Sequence, residues 1–167
     1  MDEIASLLEP QIPGLRRYAW ALLRDDEAAD DLVQDTLERA IRHWSRRRDG
    51  DLKAWLFAIQ RNLFLNDVRG RKVRGIQVGV EALEMSATLD PPDAHAGLRD
   101  ILTGLDALPE EQRSVLLLVG VEDLSYEQVA QVLEIPMGTV MSRLSRARGR
   151  LREFMENGRS AVLRRVK

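Results

Sequence analysis

The chain has 167 residues, enough for one ordinary domain or two small ones, with 44% hydrophobic and 31% charged residues and no low-complexity tract. Its formal net charge is only −2, so any contact with nucleic acid has to come from local basic patches, not from an overall positive field. There is no cysteine, which excludes disulfides, thiol redox sensing and zinc-finger spacing. The start of the chain, MDEIASLLEPQ, lacks a basic segment ahead of an apolar one, and no apolar run approaches the ~20 residues that span a bilayer. A cytoplasmic protein without a signal peptide or membrane insertion is therefore expected.

In chain order, Leu15, Tyr18, Ala19, Leu22 and Leu23 recur at helical spacing. A second helix follows, with Ala29, Leu32, Val33, Leu37, Ala40, Ile41 and Trp44 on its apolar side. It opens on Asp25, Asp26 and Glu27, which suit the positive end of a helix dipole. Asp31, Gln34, Asp35 and Glu38 share its outer face. A basic loop at 45–51 (SRRRDGD) leads to a third helix with Trp55, Leu56, Ile59 and Leu63 inward, ending in the cluster Arg69, Arg71, Lys72 and Arg74. Between Gly75 and His95 the periodicity fades among Gly75, Gly79, Pro91, Pro92, acids and small residues, which reads as a flexible linker. Helical pattern resumes with Leu98, Ile101, Leu102 and Leu105. Another helix opens at Pro109, Glu110 and Glu111 and continues through Val115, Leu116 and Val119. No strand pattern is found, so the expected fold is all-α: two small helical domains joined by a linker.

The stretch from Leu124 to Leu151 carries the most chemistry. Ser125 and Gln128 form an S-x-x-Q capping box, and Val129, Ala130 and Leu133 stripe the helix behind it. Pro136 suits the first turn of the next helix. In that helix Val140, Leu144, Ala147 and Leu151 should face inward, and Thr139, Ser142, Arg143, Arg146 and Arg150 outward. Arg148 and Arg152 flank that face, and no acid interrupts residues 137–152. A charge run is more often a solvated surface than a site, but a capped helix, a tight turn and an unbroken positive face together describe a helix-turn-helix that enters a DNA major groove.

With both halves in view, the chain resembles the extracytoplasmic-function (ECF) group of sigma-70 family factors. DDLVQDTLERAIRHW at 30–44 with LKAWLFAIQRNLFLNDVRGR at 52–71 looks like a sigma-2 domain, and residues 108–151 look like sigma-4. The resemblance implies residues 1–74 as a sigma-2-like domain, 75–95 as linker and 96–167 as a sigma-4-like domain with a C-terminal tail. It implies docking of Asp31, Leu32, Gln34, Asp35 and Glu38 on the clamp helices of the largest subunit of core RNA polymerase. The −10 element would be bound and melted by Trp44, Arg46, Arg47, Arg48, Arg61, Asn62, Arg69 and Arg71, with Trp55 and Phe57 as further rings that can stack on bases. Thr139, Ser142, Arg143, Ser145, Arg146 and Arg150 would contact the −35 element, Arg146 being the natural partner for guanine. Relatives often carry a basic residue where this chain has Met141, which can neither neutralise a phosphate nor pair with guanine. The helix at 112–119 would meet the polymerase flap tip, although its leucines equally suit a domain core. An anti-sigma factor is the further partner the resemblance implies.

Two other classes compete. A stand-alone helix-turn-helix regulator explains residues 108–151 but leaves the DDLVQD segment and Asn62 without a purpose. A helical adaptor that binds only proteins leaves the arginine face unexplained. His43 and His95 have no partner at ligand or triad spacing, and no Gly-rich phosphate loop occurs, so no enzymatic activity, cofactor, metal or small-molecule ligand is expected. The tail, residues 158–167, reads as a frayed basic helix.

Overall fold

A computed structural model describes residues 1–73 and 96–165, with side chains at 1–70 and 97–157. The linker at 75–95 and Arg74 lie outside the described residues, as do the side chains of Arg71 and Lys72 and those of the tail. Among the described residues the structure is helical, without a strand, and the chain divides into two compact units.

The first unit holds α1 (Asp2–Leu8), α2 (Ile12–Leu23), α3 (Asp26–Arg42) and α4 (Leu52–Val73), with short 3-10 turns at Glu9–Gln11 and Trp44–Arg46. Leu15, Tyr18, Ala19 and Leu22 of α2 are buried as their spacing predicts, and Leu23 is half-buried. Arg24 ends α2 in the left-handed region (φ 56°), its N–H reaching the Trp20 carbonyl at 2.7 Å. That turn sets the chain up for α3. There the Asp25 carboxylate accepts from the Ala28 N–H at 2.8 Å, so the first of the three acids is the cap and the next two lie in the first turn. Ala29, Leu32, Val33 and Ala40 form the buried stripe of α3, which packs between α2 and α4. Ile41, expected inward, is 42% exposed.

In α4 the buried stripe is turned from the expected one. Ala54, Leu56, Phe57, Gln60, Arg61 and Phe64 are buried, and Trp55, Ile59 and Leu63 are half-buried. Apolar residues occur almost all around this helix, so periodicity alone underdetermines its inward face. What fixes it is Gln60, fully buried, whose Nε2 donates to the Leu15 carbonyl at 2.8 Å. Phe57 meets Tyr18 edge-on, ring centroids 5.5 Å apart.

The second unit holds α5 (Ala96–Ala107), α6 (Glu110–Gly120), residues 126–130 of α7 (Tyr126–Leu133) and α8 (Met137–Arg165). Val115, Leu117 and Leu118 of α6 are buried with Val140, Leu144 and Ala147 of α8, and the two helices pack on each other. α5 also packs on α8. It approaches so closely at Gly104 that an added Cβ would stand 2.6 Å from Leu151 Cδ1 and 3.0 Å from Phe154 Cδ1. Helix α8 therefore runs well past Arg152, and its extension begins as part of this unit's packing.

Candidate nucleic-acid interface

The helix-turn-helix is assembled by local chemistry. The Gln128 N–H donates to Ser125 Oγ at 3.1 Å, and the Ser125 N–H donates to Gln128 Oε1 at 2.8 Å, so the capping box at the start of α7 is reciprocal. Glu134 leaves α7 in the left-handed region (φ 54°), and the Ile135 N–H reaches back to the Ala130 carbonyl at 3.1 Å. The Pro136 carbonyl then accepts from Thr139 and Val140 at 3.0 and 3.1 Å, opening α8. Proline fits at this point because the N–H it lacks would have no helical partner.

Along α8, Val140, Leu144 and Ala147 are at most 2% exposed, whereas Ser142, Ser145, Arg146, Arg148, Arg150 and Arg152 are exposed. Thr139 and Arg143 are half-buried. Two of the expected contact residues are engaged within the protein. Ser142 Oγ donates to the Thr139 carbonyl at 3.1 Å, and Arg143 Nη2 lies 3.6 Å from a Glu111 carboxylate oxygen of α6. Met141 is 47% exposed beside them. Sequence pattern passes over Tyr126, the first residue of α7, which faces Met141, Ser145, Arg148 and Arg152 across a shallow cleft. Only the packing of α7 against α8 brings it there.

The expected −10 residues divide into surface and core. Arg46, Arg48, Asn62 and Arg69 are exposed. Arg47 lies over the Trp44 ring, 5.1 Å from its centroid, and its Nη1 donates to the Gly50 carbonyl at 3.3 Å. Trp55 meets Trp44 edge-on at 6.1 Å, both rings half-buried, so this pair forms one aromatic corner beside the basic loop. Asp51 closes the loop by accepting from the Ala54 N–H at 3.0 Å, capping α4. Two expectations need correcting. Arg61 is only 8% exposed, drawn inside with the turned stripe of α4, and presents no surface guanidinium to a phosphate. Phe57 is 1% exposed and belongs to the core with Tyr18, so it offers no base a stacking surface.

On α3, Asp31, Gln34, Asp35 and Glu38 are exposed on one face, with Gln34 Nε2 donating to Glu38 Oε1 at 3.4 Å. Leu32, grouped with them by sequence position, is 8% exposed and packs inward, so it is withdrawn from that surface. The leucine-rich part of α6 is likewise mostly core: Leu117 and Leu118 are buried and Leu116 is half-buried. His43 is held by its own helix, Nδ1 donating to the Arg39 carbonyl at 3.0 Å. Among the described residues no cluster of acids and histidines could hold a metal ion, and no helix is long and apolar enough to cross a membrane.

Residues 8–60 match the family model described as the Sigma2 domain of PhyR, and residues 98–151 match Sigma-70, region 4. Over 152 residues the chain is 39% identical to the ECF RNA polymerase sigma factor EcfG of Rhodopseudomonas palustris, covering 90% of this chain and 83% of that one. The chain belongs to the ECF RNA polymerase sigma factors. It is also 30% identical to the ECF sigma factor SigM of Bacillus subtilis over 147 residues, covering 85% of this chain and 88% of that one. Among solved structures it is similar to the sigma factor RpoE of Bartonella quintana, determined with the anti-sigma factor NepR. The TM-score is 0.79 and the identity 33%, over 93% of this chain and 98% of that one. The matched segments of this ECF factor cover α2, α3 and the first part of α4, then α5 to Leu151 of α8. Asn62, Arg69 and Arg71 lie beyond the first of them.

Proposed function

We propose that this ECF sigma factor gives core RNA polymerase its promoter specificity, with each unit bearing one contact to DNA. The observation that carries the reading is the division of α8: arginines and serines outward, an alanine and branched aliphatic residues inward, on a capped helix-turn-helix within a chain of net charge −2. Such a helix reads base edges in the major groove while its flanking arginines hold phosphates. Residues 96–167 then bind the −35 element through Ser145, Arg146 and Arg150, with Thr139, Ser142 and Arg143 at the margin of that face.

Residues 1–74 dock on the polymerase clamp helices through Asp31, Gln34, Asp35 and Glu38, an acidic face suited to a basic partner. The same unit opens the −10 element. Extracting a base from the stack costs a few kcal/mol unless a site receives it. Asn62 has an amide that both donates to and accepts from a base edge, and the Trp44 corner supplies a ring for stacking. Arg46, Arg48, Arg69 and Arg71 hold the adjoining backbone. Residues 75–95 join the two units. Control by an anti-sigma factor is supported by the likeness to the Bartonella quintana protein that was determined with one.

The decisive experiment is size-exclusion chromatography of the full chain with bacterial core RNA polymerase, followed by run-off transcription from a randomised promoter pool. Co-elution with selection of a two-part promoter is expected. A folded monomer that ignores polymerase and binds duplex DNA by itself would replace this reading with a stand-alone regulator.

A further inference from the structure

Met141 is an exposed apolar side chain, with Met137 (39% exposed) one turn before it, on an outward face that is otherwise polar or cationic. At 47% exposure it is not part of the core that its neighbours Val140 and Leu144 enter at 0% and 2%. It lines a cleft of about 370 Å³ together with Tyr126, Leu144, Ser145, Arg148, Gly149 and Arg152. Both charged residues of that lining are arginines. The cleft thus brings a thioether and a tyrosine ring together with two guanidiniums, which fits a polyanion that also presents an apolar group.

The neighbouring side chains narrow the choice. Ser142 donates to the Thr139 carbonyl and Arg143 turns toward Glu111, which shifts readout of a groove toward Met141, Ser145 and Arg146. A thioether gains nothing from a phosphate and makes only weak contact with a polar base edge. Among the groups presented on the floor of the major groove, the C5-methyl of thymine is the apolar one. Methionine, unbranched and with three rotatable bonds, can follow that methyl without demanding one fixed geometry.

We propose that Met141 determines specificity by packing on the C5-methyl of a thymine in the −35 element, while Arg148 and Arg152 hold the adjoining phosphates. This rests on the reading of α8 as a recognition helix. The test uses the holoenzyme with a promoter chosen by run-off selection, each −35 thymine being replaced singly by deoxyuridine. That change removes one methyl and leaves every hydrogen bond in place. At one position the wild-type holoenzyme is expected to bind the deoxyuridine promoter roughly two- to fivefold more weakly, the effect of one buried methyl-sized group. Met141→Ala and Met141→Gln should each bind the two promoters equally. Indifference of the wild type at every thymine would overturn the proposal, as would a methyl effect that survives in both variants. So would a selected −35 element without an A·T pair, or a loss of anti-sigma binding in the variants with promoter discrimination intact. In each of these cases the holoenzyme still uses its promoter, so the proposed function stands; a chain that forms no holoenzyme removes both.

Discussion

Ser125 and Gln128 each satisfy a backbone N–H that the start of α7 would otherwise leave unpaired, so each side chain contributes to stability and to the entry angle of the helix. Ser125→Ala is expected to cost about 1 kcal/mol, read as a lower urea midpoint with unchanged slope. Gln128→Ala should add less on top of it than it costs alone, because the two bonds close one loop. Arg146 and Arg150 are both exposed on α8, yet their side chains are assigned different work. Arg146→Ala should lose about 1–3 kcal/mol at one −35 position and little elsewhere. Arg150→Ala should weaken all promoters alike and flatten the salt dependence by about one phosphate, a slope change near 0.9. Binding across a −35 substitution series at two salt concentrations separates the two, and interchanged outcomes would swap the assignments. Asn62→Ala should alter −10 preference with core binding intact; an equal fall in both would make Asn62 a structural residue.

At the scale of the element, what could be read from sequence follows from how one-sided each helix is. α2 and α3 have one apolar stripe apiece, and Leu15, Tyr18, Ala19, Leu22, Ala29, Leu32 and Val33 lie where spacing puts them. α4 has apolar residues on most sides, and the polar pair Gln60 and Arg61 points inward because the Leu15 carbonyl, 45 residues away, accepts from Gln60. No local pattern encodes that bond. The same holds for Arg143 beside Glu111 and for Tyr126 across from Met141, both set by helix packing. The helical extension of α8 past Arg152 agrees with the tail reading as a basic helix, but its packing against α5 through Phe154 is set by tertiary contact and by no local pattern. The contact of α5 with α8 makes that extension testable. Gly104→Ala gains up to about 1 kcal/mol in helix propensity but drives a methyl against Leu151 and the stiffer Phe154 ring, an overpacking that costs about 1–3 kcal/mol. A net loss is expected in the full chain. In a Leu151→Ala background the loss should shrink, with the Phe154 contact still present, and thermal denaturation of the wild type and the three variants of that cycle reads the difference. A loss of equal size in both backgrounds would mean that Leu151 and Gly104 do not meet.

Over the whole molecule, a net charge of −2 conceals local patches of opposite sign and is not the mark of a neutral surface. Residues 26–42 carry six acids against two arginines, and residues 137–152 carry five arginines and no acid. Segregation of this kind lets one small chain approach a basic protein surface and a polyanion at once, each attraction acting within about a Debye length of its own patch. It also predicts that the two attractions can be altered separately. Asp35 is exposed and lies outside the ion pair that Asp30 makes with Arg16 at 2.8 Å, so reversing its charge leaves folding intact. Asp35→Lys is expected to weaken binding to core polymerase by about tenfold at low salt, the equivalent of about 1.4 kcal/mol, and by progressively less as added salt screens the patch. The intrinsic affinity of the helix-turn-helix for duplex DNA should not change with it. Fluorescence titration of labelled chain with core polymerase at low and high salt, beside a duplex-DNA titration without polymerase, reads both effects. A loss of core binding that salt leaves untouched would show that Asp35 is needed for the shape of α3, and that the acidic face does not steer the partner.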